Sequence, residues 1–250
     1  FCRVLPRESA ALSGGRGLLF DIVIYSEEGI LCEDIRGVVM KDLFGERVRP
    51  PDWIGTEAET GLLPRIREVC RAFALVELAS VADFADQALS AREHARLEKM
   101  GTPRKKTYLA GRLALKRLSR RISGDRLTPS SGIETLEPDG IRPQCPAPEG
   151  TAVFCSLSHK SRFAFAVAAG EPVGADVERI SDRILKACRL FMSEEELALA
   201  AGSSLGCSRA AVRVWSIKES VSKLVGASLS ETWRSVLVRE LGEHHSRMEA

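Results

Sequence analysis

The segment VRVWSIKESVSKL (residues 212–224) decides how the fold of this chain is read. Its apolar residues recur at helical spacing, and Glu219 and Lys223 stand one turn apart, with Lys218 beside them. On an exposed helix such a Glu–Lys pair is a mild surface ion pair that contributes about 0.2–0.5 kcal/mol. The alternative is that these charges belong to a chemical site, and the rest of the chain has to decide between the two.

An earlier segment, YLAGRLALKRL (residues 108–118), resembles the later one and predicts an internal duplication. The alignment places three pairs of residues opposite each other: Arg112 and Lys218, Leu113 and Glu219, and Arg117 and Lys223. Each segment follows a short helical stretch that opens with a capping box; the two boxes are Ser90 with Glu93 and Ser193 with Glu196.

The other elements favour an α+β fold. A helix-like stretch covers residues 65–79, and strand-like runs cover 152–158, 162–170 and 172–180. Helix pairs combined with short strands indicate two similar α/β halves.

The chain is predicted to divide into three parts. Residues 1–60 form an N-terminal segment in which apolar runs flank Ser26-Glu27-Glu28-Gly29, a pattern typical of a β-hairpin. A Pro- and Gly-rich stretch, residues 47–64, predicts a linker. The first half of the duplicated unit covers residues 61–170, and the second half covers residues 171–250.

Composition indicates an ordinary soluble globular protein, with 44% apolar and 28% charged residues. The net charge of +2 argues against nucleic acid or a membrane surface as the main partner, and no apolar run is long enough to span a bilayer. The seven cysteines are widely spaced and never form a C-x-x-C pair, which favours a reducing, cytoplasmic compartment and no zinc site.

The run PVGADVERI (residues 172–180) carries two acidic residues on one predicted strand face, Asp176 and Glu178. Two neighbouring carboxylates repel each other unless a cation or a proton lies between them. Glu219 could supply a third oxygen ligand for magnesium, with Lys223 on the same side of its helix for a phosphate group. Without a cation, the ordinary alternative is an exposed strand face with two acids.

These motifs resemble those of a known family. GADVE (174–178) and WSIKESVSK (215–223) are similar to the two signature motifs of the 4′-phosphopantetheinyl transferases of the larger, surfactin type. The upstream segments RKKTYLAGRLALK (104–116), GIRP (140–143) and SLSHK (156–160) resemble further motifs of that family, in its order. The resemblance covers roughly residues 75–240.

The resemblance implies that Asp176, Glu178 and Glu219 bind magnesium together with the pyrophosphate of coenzyme A. Glu219, directly or through a metal-bound water, would take the proton from a serine hydroxyl of an acyl carrier protein. The serine oxygen would attack the β-phosphate, and 3′,5′-ADP would leave. Lys223 would hold the α- and β-phosphates, and Lys218 would be a more peripheral phosphate contact.

Further coenzyme A contacts are implied by position: Lys106, Thr107, Arg112, Arg142, Ser158 and His159. Of these, His159 matches a residue near the 3′-phosphate, and Lys160 departs from the serine that usually follows it. The fold implied is two α+β halves packed pseudo-symmetrically around a coenzyme A cleft that one chain can build as a monomer.

The segment RISDRILKACRLF (179–191) repeats basic residues every three positions, at Arg183, Lys186 and Arg189, among apolar ones. A solvated helix face is the ordinary interpretation. Because the carrier proteins of this family's substrates are acidic around the reactive serine, we expect this segment to contribute to their docking surface.

The hairpin resembles, more weakly, the final strands of dehydratase-like hot-dog domains of iterative polyketide synthases, including enediyne ones. Together with a first residue that is not methionine, it favours a C-terminal domain excised from such a synthase. Two alternatives to the enzyme are a catalytically silent module that docks carrier proteins and a structural tail of a synthase.

Overall fold

The computed structural model describes residues 2–6, 17–41, 60–81, 85–125, 128–139, 142–148, 150–160, 162–243 and 245–249. The chain divides into two compact units, Phe1–Asp52 and Trp53–Ala250. No helix in the described ranges is long and apolar enough to cross a membrane.

The N-terminal unit is a three-stranded antiparallel sheet in the order β1-β2-β3, built from β1 (Cys2–Pro6), β2 (Gly17–Tyr25) and β3 (Leu31–Lys41). The strands β2 and β3 pair on either side of the residues predicted to turn. The turn is closed by a hydrogen bond from Ser26 N to Ile30 O of 2.8 Å, and Gly29 takes the positive φ of 82° that a glycine tolerates. Strand β1 was not predicted, and residues 47–59 of the predicted linker lie outside the described residues.

The second unit contains seven α-helices and five strands among its described residues. In chain order they are α1 (Leu63–Val69), β4 (Ala72–Glu77), α2 (Ala91–Glu98), α3 (Thr102–Ser123), β5 (Phe154–Lys160), β6 (Phe163–Ala169), α4 (Cys188–Phe191), α5 (Glu194–Ala201), α6 (Cys207–Val225), α7 (Leu229–Ser235), β7 (Leu237–Leu241) and β8 (Ser246–Glu249). Helices and strands are mixed, as expected for an α+β protein.

The first half packs α3 against an antiparallel sheet in the order β4-β6-β5. Small side chains on both layers, among them Ala110, Ala114 and Ala166, are fully buried and let the helix approach the sheet closely. The predicted helix over 65–79 was wrong beyond Val69. Residues Ala72–Glu77 form a strand because their apolar run is buried between α1 and α3 and pairs with β6.

The second half is built around α6. Its core contains Phe191, Val214 and Val238, and an aromatic cluster forms where Phe191 meets the Trp215 ring edge-on at a centroid distance of 5.1 Å. Strands β7 and β8 form a separate antiparallel pair.

A buried glutamate–lysine pair lies at the centre of each half. Both predicted capping boxes are present, and in each the glutamate also binds a lysine of the following long helix. The Lys116 ammonium lies 2.7 Å from Glu93 Oε2, and the Lys218 ammonium lies 2.8 Å from Glu196 Oε2. The second oxygen of Glu93 accepts Thr135 N, and that of Glu196 accepts Val238 N.

These contacts correct the predicted register of the repeat by one helical turn. Lys116, and not Arg112, makes the contact that Lys218 makes. Both long helices end in a left-handed glycine at the same distance beyond this lysine, Gly124 with φ 68° and Gly226 with φ 69°. Identical helical periodicity in the two segments made a shift of four residues hard to detect from sequence.

Candidate active site

Three carboxylates converge in the second unit. Asp176 and Glu178 come from the extended segment 172–180, and Glu219 comes from the middle of α6. One oxygen of each lies within 4.8 Å of the others, and all three residues are partly buried. The three acids that the sequence singled out as magnesium ligands are therefore brought together.

The segment 172–180 belongs to no strand, so the predicted strand was wrong there. Serine hydroxyls replace the backbone ladder: Ser156 Oγ accepts Ala175 N at 3.0 Å, and Ser158 Oγ accepts Val177 N at 3.1 Å. On its other side the segment touches α6, where a Cβ on Gly174 would lie 1.9 Å from Ser220 O. Only glycine fits this position, and the close approach places Asp176 beside Glu219.

Asp176 is held by two donors on one oxygen and by none on the other. Its Oδ1 accepts Ser158 Oγ at 2.8 Å and Lys223 Nζ at 3.1 Å, while the side chain is only 2% exposed. Among the described residues, Oδ2 is buried and has no hydrogen-bond partner. A buried carboxylate oxygen without a partner is costly, and a cation is the group that would satisfy it.

Two lysines balance part of the negative charge. Lys223 Nζ lies 3.3 Å from Glu219 Oε1 and donates to Ala175 O at 3.0 Å. Lys160 Nζ lies 2.7 Å from Glu178 Oε1. Three carboxylates against two ammonium groups leave the cluster negative, and oxygen-only ligands of this kind suit a hard divalent cation such as Mg²⁺. The residues present therefore fit a magnesium ion.

A cleft of about 540 Å³ adjoins the cluster through Lys223. Two further cations line it, Arg112 from α3 and Arg142 from the turn after Leu136. The lining also contains one carboxylate, Glu137, and residues from the chain around Gln144, from Val153 and β5, from Pro172 and Val173, and from the C-terminal end of α6 and the residues that follow it. Three cationic side chains against one carboxylate leave the cleft positive, which suits a ligand that carries several phosphates.

Arg112 and Arg142 face this cleft in different ways. Arg112 is 4% exposed, donates to Thr135 O at 2.8 Å, stacks on the Tyr108 ring and leaves its buried Nε without a partner among the described residues. Burial lowers the pKa of its guanidinium. Arg142 is exposed, and its hydrogen bond to Asp139 raises the pKa of its guanidinium. The preceding residues of the predicted GIRP turn, 140 and 141, lie outside the described residues.

His159 follows Ser158 on β5, so its side chain projects from the opposite face of the strand, where it is exposed. Desolvation by the surrounding chain lowers the pKa of its imidazole, and repulsion from Lys223 and Arg112 lowers that pKa further. A positively charged neighbourhood of this kind suits an anion. Lys106 is exposed and Thr107 donates to Arg104 O on the first turns of α3, and neither is among the residues that line the cleft.

Lys218 and Ser158, both predicted to contact coenzyme A, bind groups of the protein itself in the structure. Lys218 was expected to be a peripheral phosphate contact, but it is fully buried and donates to Phe191 O, Glu196 Oε2 and Trp233 O. An ammonium with three buried acceptors cannot reach a phosphate, so that expectation was wrong. Ser158 is 5% exposed and its hydroxyl is engaged with Asp176 and Val177, so it positions a carboxylate instead of facing open space.

Sequence reasoning missed the roles of Ser156 and of Lys160. The alternation S-L-S in residues 156–158 was the available signal, since it puts both hydroxyls on one strand face. The sequence does not indicate that backbone N–H groups of residues 172–180 would bond to these hydroxyls instead of to the backbone of a neighbouring strand.

A second depression, of about 500 Å³, shares Glu178 and Lys160 with the carboxylate cluster. We call it the basic groove; its other lining residues are Arg179, Ser181, Arg183, Ile184, Ala187, Val212 and Trp215. The predicted docking segment forms a 3₁₀ turn over Asp182–Lys186 followed by α4, and Arg183, Lys186 and Arg189 are all exposed. Apolar Leu185 and Leu190 are exposed between them.

The part of the chain that carries the site is similar to known proteins. Residues 172–249 match the 4′-phosphopantetheinyl transferase superfamily, and this match contains all three carboxylates and Lys223. The chain is also similar to the enterobactin synthase component D of Salmonella typhi, with 32% identity over 134 residues. That alignment spans 52% of this chain and about half the length of the relative. The superfamily resemblance read from the motifs is confirmed.

Proposed function

We propose that this chain, a member of the 4′-phosphopantetheinyl transferase superfamily, transfers 4′-phosphopantetheine from coenzyme A to a serine of an acyl carrier protein. The observation that carries the proposal is the juxtaposition of Asp176, Glu178 and Glu219 with Lys223 at the edge of a cation-lined cleft. Magnesium ligands next to phosphate-binding cations are the parts that phosphoryl transfer requires.

Asp176, Glu178 and Glu219 would hold the magnesium ion, with the unpartnered Asp176 Oδ2 as the most clearly vacant ligand. When bound, the ion would neutralise charge on the pyrophosphate of coenzyme A. Ser158 and Lys223 fix the other oxygen of Asp176, so that carboxylate is oriented before any ligand arrives.

Coenzyme A would occupy the cleft with its phosphates near Lys223, Arg112 and Arg142. Planar guanidinium groups suit phosphate oxygens because they donate two hydrogen bonds in parallel. His159 would approach the 3′-phosphate, whose negative charge would favour the protonated imidazole. Lys106 and Thr107, near the start of α3, would make outer contacts with coenzyme A.

In the reaction, Glu219 would accept the proton of the carrier serine. The serine oxygen would then form a bond to the β-phosphorus while the bond from that phosphorus to the bridging oxygen breaks, and 3′,5′-ADP carries the electron pair away. Lys223 lies within 3.3 Å of Glu219 and would offset the charge that develops on the leaving group. Its contacts with Ala175 O and Asp176 hold the ammonium in place for this role.

The carrier protein would dock at the basic groove and the neighbouring docking segment. Exposed Arg183, Lys186 and Arg189 alternate with exposed Leu185 and Leu190, a surface that suits an acidic helix with an apolar stripe. Replacing Arg183 and Lys186 together by Glu should raise the KM for the carrier without raising that for coenzyme A. An unchanged carrier KM would rule this surface out.

We propose the finer context on the sequence alone. The motifs favour the larger, surfactin type of the superfamily, the widely spaced cysteines favour the cytoplasm, and a cleft built by the two halves of one chain favours a monomer. The weaker resemblance of the N-terminal hairpin to dehydratase-like strands favours attachment to an iterative polyketide synthase whose own carrier domain the protein modifies.

The test is intact-mass spectrometry of an apo acyl carrier protein after incubation with this protein, coenzyme A and Mg²⁺. The expected result is a gain of one phosphopantetheine group that disappears with EDTA and with Glu219→Gln. The matched control is Glu171→Gln, which removes an exposed carboxylate outside the cluster and should leave the gain intact. Coenzyme A binding without transfer to any carrier would favour the silent docking module instead.

A further inference from the structure

Lys160 is held more loosely than Lys223, the other lysine that pairs with the carboxylate cluster. It is the last residue of β5, its side chain is 48% exposed, and its described contact is with Glu178, 2.7 Å away. Glu178 itself is only 14% exposed, so the ammonium covers one of its oxygens from the solvent side.

Lys223 provides the contrast. Its ammonium contacts Ala175 O, Asp176 and Glu219 at once and is 26% exposed. Moving Lys223 would break three contacts and disturb two carboxylates, whereas moving Lys160 breaks one contact and releases a side chain into water. Long, exposed lysine side chains gain rotamer freedom when they are released.

We propose that Lys160 is a built-in counter-ion that competes with the divalent cation for Glu178 and thereby sets the metal affinity of the site. The inference rests on the proposed metal site. A divalent cation ligated by Glu178 meets a unit positive charge on the same carboxylate, and like charges at such short range repel. The ion therefore binds at the expense of the Lys160–Glu178 pair.

Displacement has a second consequence, because Lys160 also lines the basic groove. Once it leaves Glu178, its ammonium joins Arg179 and Arg183 as an uncompensated charge of that groove. Metal binding thus raises the positive potential of the surface proposed to receive an acidic partner. Lys160 couples the occupancy of the metal site to the charge of the groove.

The experiment is calorimetric titration of Mn²⁺ alone into the full chain and four variants. Lys160→Met should bind Mn²⁺ about five- to tenfold more tightly, the size expected for removing one charge several Å from a divalent ion in a partly wet site. Lys160→Arg keeps the charge and should retain the wild-type affinity. Arg162→Gln is the matched control, because it removes an exposed cation two residues away that pairs with Glu77; its affinity should change less than about twofold.

Asp176→Asn separates the possible failures. If Asp176→Asn abolishes Mn²⁺ binding while Lys160→Met binds no more tightly than wild type, the competition is refuted and the metal site stands. If neither wild type nor Lys160→Met binds Mn²⁺, the metal site of the proposed function is refuted together with this inference. Circular dichroism of each variant identifies any change that reflects unfolding.

Discussion

The two halves of the second unit use one framework for different purposes. In each, a helix residue donates to a backbone carbonyl of an extended segment: Arg121 to Phe73 O in the first half, and Lys223 to Ala175 O in the second. These residues have the same separation along the chain as Lys116 and Lys218. The internal duplication stays a prediction, and these contacts place it in the corrected register.

In that register the acidic residues have uncharged or basic counterparts. Ala74, Val76 and Arg117 stand where the second half has Asp176, Glu178 and Glu219. Ala74 and Val76 are buried in the sheet, and Arg117 donates to Leu75 O. In the first half these positions therefore serve packing and framework contacts, whereas in the second half they form the carboxylate cluster. There, Asp176 Oδ2 is buried without a hydrogen-bond partner among the described residues.

The largest expected effect is on the free energy of unfolding, when either buried glutamate–lysine pair is broken. Lys218→Met leaves Glu196 buried without its cation, and Lys116→Met does the same to Glu93. Each should destabilise the protein by about 3–5 kcal/mol, because a buried charge loses its partner. Denaturant unfolding measures the free energy of unfolding.

Arg247→Met is the control for this measurement, because it breaks an ion pair with Glu240 in which both side chains are more than half exposed, and such pairs contribute little to stability. A loss of stability in Lys218→Met as small as that in Arg247→Met would contradict the assignment of Lys218 to the framework.

A smaller effect is expected at the serines that replace the backbone ladder. Ser158→Ala leaves Val177 N without its acceptor and removes a donor from Asp176, so it should destabilise the protein by about 1–3 kcal/mol and weaken Mn²⁺ binding severalfold. Ser156→Ala removes only the contact with Ala175 N. It should therefore destabilise the protein without changing Mn²⁺ affinity. Equal effects of both variants on Mn²⁺ binding would contradict the assignment of Ser158 alone to the orientation of Asp176.

The smallest effect is the pH dependence of nucleotide binding through His159. Because burial and nearby cations lower its pKa, the imidazole is mostly neutral near pH 7. A bound 3′-phosphate favours the charged form and raises that pKa, so affinity for 3′,5′-ADP should increase severalfold as the pH falls below about 7. Titrations at a series of pH values should show this increase in wild type and not in His159→Gln. The same increase in both proteins would assign it to another group.

The sequence by itself determined the elements with strong local signals. Both capping boxes, the two long helices and the strands around residues 154–160 and 163–169 follow from side-chain oxygens at helix starts and from apolar periodicity. The carboxylates were found because their motifs resemble those of a family.

Tertiary structure decided what each polar residue does. Lys218 and Glu219 are neighbours in sequence, yet α6 directs one into the core and the other to the cluster, since successive helix positions lie about 100° apart. Residues 72–77 became a strand because β6 was available as a partner, and residues 172–180 did not because serine hydroxyls took the place of the ladder. Propensity and periodicity describe a segment alone, whereas these outcomes depend on which neighbour supplies the hydrogen bonds.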